Sequence, residues 1–444
     1  MQTPSLDAGD NANGKALLLK RALAALNSAG LDAAAAKSVF VPGRIEFLGK
    51  HTDYCGGRSL LCAVERGICF TYVPRRDCVV RVLHPQTRSQ IEFTLSEDVA
   101  PVAGHWSNYV MTVARRVVRN FSGELHGVDL AIHGDLPWAA GLSSSSALIV
   151  GTFMVLSEVN GLPQRPEYQQ CIRSREDLAG YLGAVENGAG FTGGGATLAG
   201  DRGVGTLGGS QDHTAILCSA RGELRQFGFC PVGYEGTAPM PPGYCFVVAD
   251  CGVSAEKTGA ARSAYNRNPF AVRRLLQTWN DATGRVDPSL AAAIRSDPSA
   301  ADRMRHLVRT APAGDVAPEW LVGRLDQFIA ESERIIPATM NALRAGDLDL
   351  VGQLVDESQR LAERALGNQV PQTTFLAAAA RQAGAAAASA FGAGFGGSVW
   401  ALVSAADADE FRKDWLGRYR QEFPVESESA LAFVTRAGDP AAEY

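Results

Sequence analysis

Residues 136–151 read LPWAAGLSSSSALIVG, a glycine turn and four small hydroxyls that open directly into an apolar run. The run extends through ALIVGTFMVL, too long for one short strand, and is read as a buried helix. A helix that starts this way offers free backbone N–H groups and the positive end of its dipole, and small side chains let a phosphate come close. The other reading is a serine N-cap on a core helix, which needs only one serine. The uncharged stretches Leu136–Leu156 and Gln382–Ala406 do not read as membrane spans. The first contains a proline and the serine run, and the second is rich in glycine and alanine.

On either side of this segment the pattern changes character. Residues 15–27 read as an amphipathic helix with Leu19, Leu23 and Leu26 on one face. From Val39 to Leu95 strand patterns dominate, in RGICFTYV, CVVRVLH and SQIEFTL. SNYVMTVARRVV reads as a helix, HGVDLAIHGDLP as a strand running into a loop, and 165–187 as a helix before the glycine-dense GAGFTGGGATLAGDRGVGTLGG. HTAILCSA, GELRQFGF and YCFVVADCG read as strands, helices follow to about Ala388, and SVWALVSA and ALAFVTR read as strands flanking a last helix. Strand runs followed by helix runs, without strict alternation or an internal repeat, predict an α+β protein. Its 444 residues suit two or three lobes. The division is placed near Asp201–Ser210, giving lobes 1–205 and 206–444, and the first dozen residues are expected to fray.

Charge and cysteine usage narrow the function. Lys and Arg total 42 against 47 Asp and Glu, a formal net charge of -5, so no global basic field exists to hold nucleic acid or an anionic membrane. Any phosphate ligand must be held locally. The 9 cysteines form no CxxC pair and no zinc-type spacing, which fits free thiols in a reducing cytoplasm. Asp7, Asp10 and Lys15 near the start leave no apolar segment of secretory type.

Two glycine motifs are decoys. GRIEFLGKH at 43–51 resembles a phosphate-binding P-loop, but the glycine spacing is one residue too long and His51 stands where a magnesium-binding Ser or Thr belongs. GAGFGG at 392–397 satisfies GxGxxG, yet a helix pattern precedes it and a strand follows, the reverse of a dinucleotide fingerprint. FVPGRIEFLGKHTDYCGG at 40–57 gathers Arg44, Glu46, Lys50, His51 and Asp53 between strand signals, as a ligand loop or a solvated hairpin connection would.

Taken together, GRIEFLGKHTDY resembles the galactokinase signature. PWAAGLSSSS resembles the Pro-x-x-x-Gly-Leu-Ser-Ser-Ser motif of the galacto-, homoserine, mevalonate and phosphomevalonate (GHMP) kinase superfamily, and SAFGAGFGGSVWALV at 389–403 is similar to its C-terminal glycine motif. HWSNYV, GGSQDH, ARSAYNR and LVDESQRLAE are weaker echoes. The resemblance implies a two-lobed kinase with its active site in the cleft between lobes, transferring phosphate from ATP with Mg2+ to the anomeric hydroxyl of galactose or a galactose-like sugar. Galacturonate, another hexose derivative, or a catalytically silent sugar and ATP sensor are the alternatives. It further implies Asp212 and Arg44 as catalytic residues, since phosphoryl transfer needs a group to orient and deprotonate the hydroxyl and a cation beside the phosphate. Arg44 is expected to make Asp212 a weak base.

By position, the resemblance assigns Glu46, Lys50, His51, Asp53, Gly209 and Tyr265 to the sugar, and Trp106, Gly141, Leu142, Ser143, Ser144 and Ser145 to ATP. Ser145 and Glu186 are assigned to the metal, as hard oxygen donors suit magnesium. Three positions depart from the family: Glu46 replaces Asn, Lys50 replaces an acid and His213 replaces Gln. Lys50 would then either pair with Glu46 or meet a C6 carboxylate of the sugar. The partners expected are small molecules only, with no nucleic acid or membrane, on a cytoplasmic monomer or weak oligomer.

Overall fold

The structure, a computed structural model, describes residues 11–102, 104–137, 141–253, 261–310 and 316–444. The residues expected to fray at the start lie largely outside that set. Helix α1 (Asn11–Ser28) leads into β1 (Lys37–Leu48), β2 (Arg58–Pro74), β3 (Val79–His84) and β4 (Ser89–Thr94). Then follow α2 (Ser107–Asn120), β5 (Val128–Gly134), α3 (Ser144–Val159), α4 (Pro166–Cys171) and α5 (Arg175–Asn187). A small hairpin, β6 (Phe191–Gly193) and β7 (Ala196–Leu198), precedes α6 (Gln211–Cys218), β8 (Glu223–Gly228), β9 (Gly233–Pro239) and β10 (Tyr244–Asp250). Helices from Ala261–Thr283 to Pro371–Gln382 come next, then β11 (Ala387–Ala390), β12 (Ser398–Ser404), a helix at Ala408–Glu422, β13 (Leu431–Thr435) and β14 (Ala442–Glu443).

Two main sheets organise this α+β fold. The eight-stranded sheet runs β14-β1-β2-β5-β3-β4, with β8 on β2 and β9 on β8, and the four-stranded sheet runs β11-β12-β10-β13. β2 is long enough to serve two neighbours, pairing Arg58–Leu61 with β8 and Ile68–Pro74 with β5. The first sheet therefore draws strands from both halves of the chain. The two sheets meet where Phe47 of β1 stacks on Trp400 of β12 at 4.3 Å, with Phe246 of β10 edge-on to Trp400 at 5.8 Å. All three rings are fully buried, and each such burial contributes about 2–3 kcal/mol. This seam stands directly behind the residues of the cleft described below. Among the described residues no helix is long and apolar enough to cross a membrane.

Several expectations are corrected. HTAILCSA is not a strand: Gln211–Cys218 is helix α6, eight residues or about two turns, whose β-branched residues are overridden by packing against α5, α3 and β1. The helix expected over 165–187 is two, α4 and α5, broken by the extended Ile172 and restarted at Ser174, whose hydroxyl caps the Asp177 N–H. The glycine-dense loop contains the β6–β7 hairpin. GAGFGG follows a strand, β11, so it is an antiparallel hairpin connection; no helix opens after it and the dinucleotide reading still fails. Arg44 and Glu46 lie on β1, not in a loop. In α1 the buried stripe is Leu18, Ala22 and Leu26, while Leu19 and Leu23 are half-buried. Either set satisfies the helical period, and contact with β2 and β5 selects the first.

Candidate active site

Strand periodicity places Arg44 and Glu46 on one face of β1 and turns Ile45 and Phe47 into the core. Arg44 Nε and Nη2 each lie 2.8 Å from Oδ1 of Asp212 in the first turn of α6, where an acid also suits the helix dipole. Arg44 Nη1 donates to the Gly141 carbonyl, its backbone N–H donates to Leu142 O at 3.4 Å, and its guanidinium lies 5.5 Å from the Phe391 ring. The arginine side chain is 2% exposed and the aspartate 15%, so the pair is closed on its cationic side and opens to the cleft through the carboxylate. A Cβ at Gly392 would sit 3.0 Å from Gly141 O and 3.3 Å from Arg44 Nη2. Three motifs far apart in sequence thus converge on one guanidinium.

Beside it α3 begins. Gly141 and Ser143 adopt positive φ of 77° and 62°, and the Ser143 hydroxyl is buried without a partner among the described residues. An orphaned hydroxyl at the start of a 16-residue helix fits an anion that the protein alone does not supply. Trp138, Ala139 and Ala140 of the motif lie outside the described residues. Glu186 sits in the last turn of α5, where the helix dipole disfavours an acid, yet it is buried. Its Oε2 accepts from Ser146 Oγ at 2.9 Å and lies 3.1 Å from His213 Nε2. The serine that reaches Glu186 is therefore Ser146, the fourth of the run. Ser145, chosen from sequence, is one helical position round from it and half-buried. Among the described residues no cluster of three or more His, Cys, Asp or Glu could hold a metal by itself.

Of the six sugar candidates, Glu46, His51, Asp53 and Gly209 line the same cleft, with Tyr54 beside them. A Cβ on Gly209 would stand 2.3 Å from Asp53 Oδ2, so only glycine lets α6's leading loop approach this carboxylate. Asn187 fixes that loop, donating to Gly208 O at 2.6 Å and accepting from Gly208 N–H at 3.0 Å. His51 Nδ1 meets the Tyr54 hydroxyl at 2.8 Å. Trp106 is not in the cleft lining; its indole donates to Ser89 at 3.2 Å and its ring lies 5.2 Å from His84. Tyr265 belongs to helix Ala261–Thr283, and its side chain lies outside the described residues. Tyr54, Asn187, Gln211 and Ser146 were missed from sequence. Gln211 and Ser146 adjoin chosen residues, so their neighbours carried the signal.

Lys50 does not pair with Glu46 and is not among the residues that line the cleft. Its ammonium is buried behind the cleft wall, donating to Ser389 at 2.7 Å and Ser358 at 3.2 Å, and Ser358 in turn donates to Glu331 at 3.0 Å. The expected Glu46–Lys50 ion pair is absent among the described residues, because β1 ends at Leu48 and the turn swings Lys50 away from the strand face that carries Glu46. Glu46 instead accepts from Gln211 Nε2 at 2.6 Å, and its other oxygen has no partner among the described residues. Burial pushes the Glu46 carboxyl up to about 7, opposed by Lys50 and Arg44. A carboxyl whose folded pKa is raised stabilises fully below its unfolded value of 4.5 and loses that contribution as pH rises through about 7. Glu46→Gln is therefore expected to gain stability relative to wild type between pH 5 and pH 8, on the order of 2–3 kcal/mol, read as urea midpoints at the two pH values.

Comparison with known proteins agrees with this geometry. Residues 32–74 match the galactokinase galactose-binding signature, 108–199 the GHMP kinases N terminal domain and 339–421 the GHMP kinases C terminal model. A galactokinase of Chloroflexus aggregans is 30% identical over 382 residues, covering 85% of this chain and 86% of the relative. One from a Roseiflexus species is 28% identical over 407 residues, covering 90% and 91%. The fold matches Lactococcus lactis galactokinase, a structure complexed with galactose, with a TM-score of 0.77 at 24% identity over 98% of this chain and 100% of that one. Methanococcus jannaschii mevalonate kinase shares the fold more distantly, with a TM-score of 0.56 at 13% identity over 91% and 99%. With its signature, its serine turn and its glycine hairpin meeting at Arg44 and Asp212, the chain belongs to the galactokinase family of GHMP kinases.

Proposed function

We propose that this cleft transfers the γ-phosphate of MgATP to the anomeric hydroxyl of galactose or a neutral galactose-like sugar. The observation that carries the reading is the Arg44–Asp212 pair, buried on the arginine side and set between the serine turn and the sugar-signature residues. Asp212 orients the attacking hydroxyl and takes its proton, while Arg44 fixes the carboxylate and adds positive charge where the phosphate arrives. The N–H groups of the turn at Gly141–Ser145 and the start of α3 bind phosphate oxygens. His51, Asp53 and Gly209 line the sugar side. A silent sensor would have no use for a proton acceptor held this way.

Magnesium suits the donor set, because it usually takes only one or two carboxylates together with phosphate oxygens and water. Glu186 and a serine hydroxyl of the α3 start, Ser146 or Ser145, would hold it, and it would supply neutralisation of the charge on the phosphates. Glu186→Gln and Ser146→Ala are expected to raise the magnesium needed for half-maximal activity several-fold, whereas Ser157→Ala, on the same helix away from the turn, leaves it unchanged. Equal behaviour of all three removes the metal role.

Among the described residues four carboxyl groups line the cleft, on Glu46, Asp53, Glu186 and Asp212, against one guanidinium. That balance disfavours a uronate, and Lys50 faces serines behind the wall. ADP release measured across galactose, galacturonate and N-acetylgalactosamine tests the assignment. Galactose is expected to have the highest kcat/KM of the three, and turnover of none of them, or of galacturonate first, overturns it.

A further inference from the structure

Glu46 is a buried carboxyl at a reaction centre to which the reading above gives no task. Its Oε2 accepts from the Gln211 side-chain amide at 2.6 Å, and the Gln211 carbonyl accepts from Ser59 Oγ at 2.8 Å, which fixes the direction of that amide. The Gln211 backbone N–H donates to Asp53 Oδ2 at 3.1 Å, and the next residue is Asp212. Among the described residues Glu46 Oε1 is buried with no partner, although Arg44 stands two residues away on the same strand face. A glutamine could accept the same Gln211 bond at no cost in buried charge.

We propose that Glu46 is a positioning residue for the transfer reaction: through Gln211 it clamps the start of α6 to β1 and so keeps Asp212 in place on Arg44. This rests on the reaction proposed above. The charged groups acting on Glu46 are Lys50 from the turn after β1, Arg44 from its own strand and Asp212 from α6. Ser59 of β2 acts through Gln211, and Trp400 of β12 donates to the Glu46 carbonyl at 3.1 Å. An ionised Glu46 makes a charge-assisted bond to Gln211, about twice as strong as the neutral one, so the clamp is tightest when the proton is off. The carboxyl titrates near pH 7, and kcat of the wild type is expected to rise through that region.

The test compares pH profiles of ADP release with galactose for wild type, Glu46→Ala, Glu46→Gln and Gln211→Leu, with the amide resonances of Gln211 followed by NMR. Glu46→Ala and Gln211→Leu are expected to lower kcat by roughly ten- to a hundredfold, as displacement of a catalytic group by about 1 Å does, with KM for ATP within about twofold. The double variant should be no worse than either single one. Glu46→Gln should rescue most of the loss at pH 6 and lack the rise near pH 7. In wild type the Gln211 side-chain amide should shift with pH near 7, and in Glu46→Gln it should not. Unchanged kcat in Glu46→Ala, an intact pH limb in Glu46→Gln, or a Gln211 amide indifferent to pH each overturns the clamp. A wild type that turns over no sugar contradicts the proposed reaction instead, and the amide titration still decides whether Glu46 holds Gln211.

Discussion

Replacing Asp212 by asparagine is expected to leave a folded, nucleotide-binding protein whose turnover falls by roughly three orders of magnitude or more. Asparagine keeps the size of the side chain, and its carbonyl can accept from Arg44 Nε and Nη2 as Oδ1 now does. It cannot take a proton from a sugar hydroxyl. The substitution also leaves the Arg44 guanidinium without an anionic partner, although Arg44 keeps the Gly141 carbonyl and the Phe391 ring. The fold should survive because Asp212 is the partly open member of the pair and α6 retains its other contacts with α5 and β1. Single-turnover kinetics, nucleotide binding by calorimetry and a urea melt separate the terms. A kcat near wild type would take Asp212 out of proton transfer.

The second large effect concerns stability. Lys50→Glu should cost about 3–5 kcal/mol, because it removes the ammonium of a buried network and sets a second carboxylate among Ser358, Ser389 and Glu331. Glu331 already accepts from the Gly49 N–H at 2.8 Å, so the new charge would also disturb the turn that aims His51 at the cleft. Lys50→Met should cost less, and adding Glu331→Gln to it should recover part of the loss, since the carboxylate is then no longer left uncompensated. Urea midpoints for the three variants check this order. A Lys50→Glu protein as stable as wild type would mean that Lys50 is not held in this network.

That network illustrates what sequence could not reveal. The Arg44–Asp212 contact was legible only through the resemblance, which matches both residues by position and sets them side by side. Lys50 was legible only as a departure from the pattern. Its partners lie some three hundred residues downstream in helices and a strand with no motif of their own, and the local candidate Glu46 drew the wrong pairing. Strand β11 was hidden because AAAASA has helix-forming composition, and only its ladder with β12 makes it extended. The reverse error in HTAILC has the same origin: a short apolar run has no period of its own, and its neighbours choose. That Ser146 is the serine bonded to Glu186 was not legible, because the motif gives the serines but not the phase at which α3 starts.

The most direct test of the central claim is the position of the transferred phosphate. The purified protein, given galactose and MgATP, is expected to yield ADP and a sugar phosphate whose 31P resonance couples to the anomeric proton, with no coupling to the C6 protons, and Asp212→Asn should give neither product above background. A phosphate coupled to any other position of galactose, or wild type that releases no ADP beyond an ATP-only control, would contradict the account.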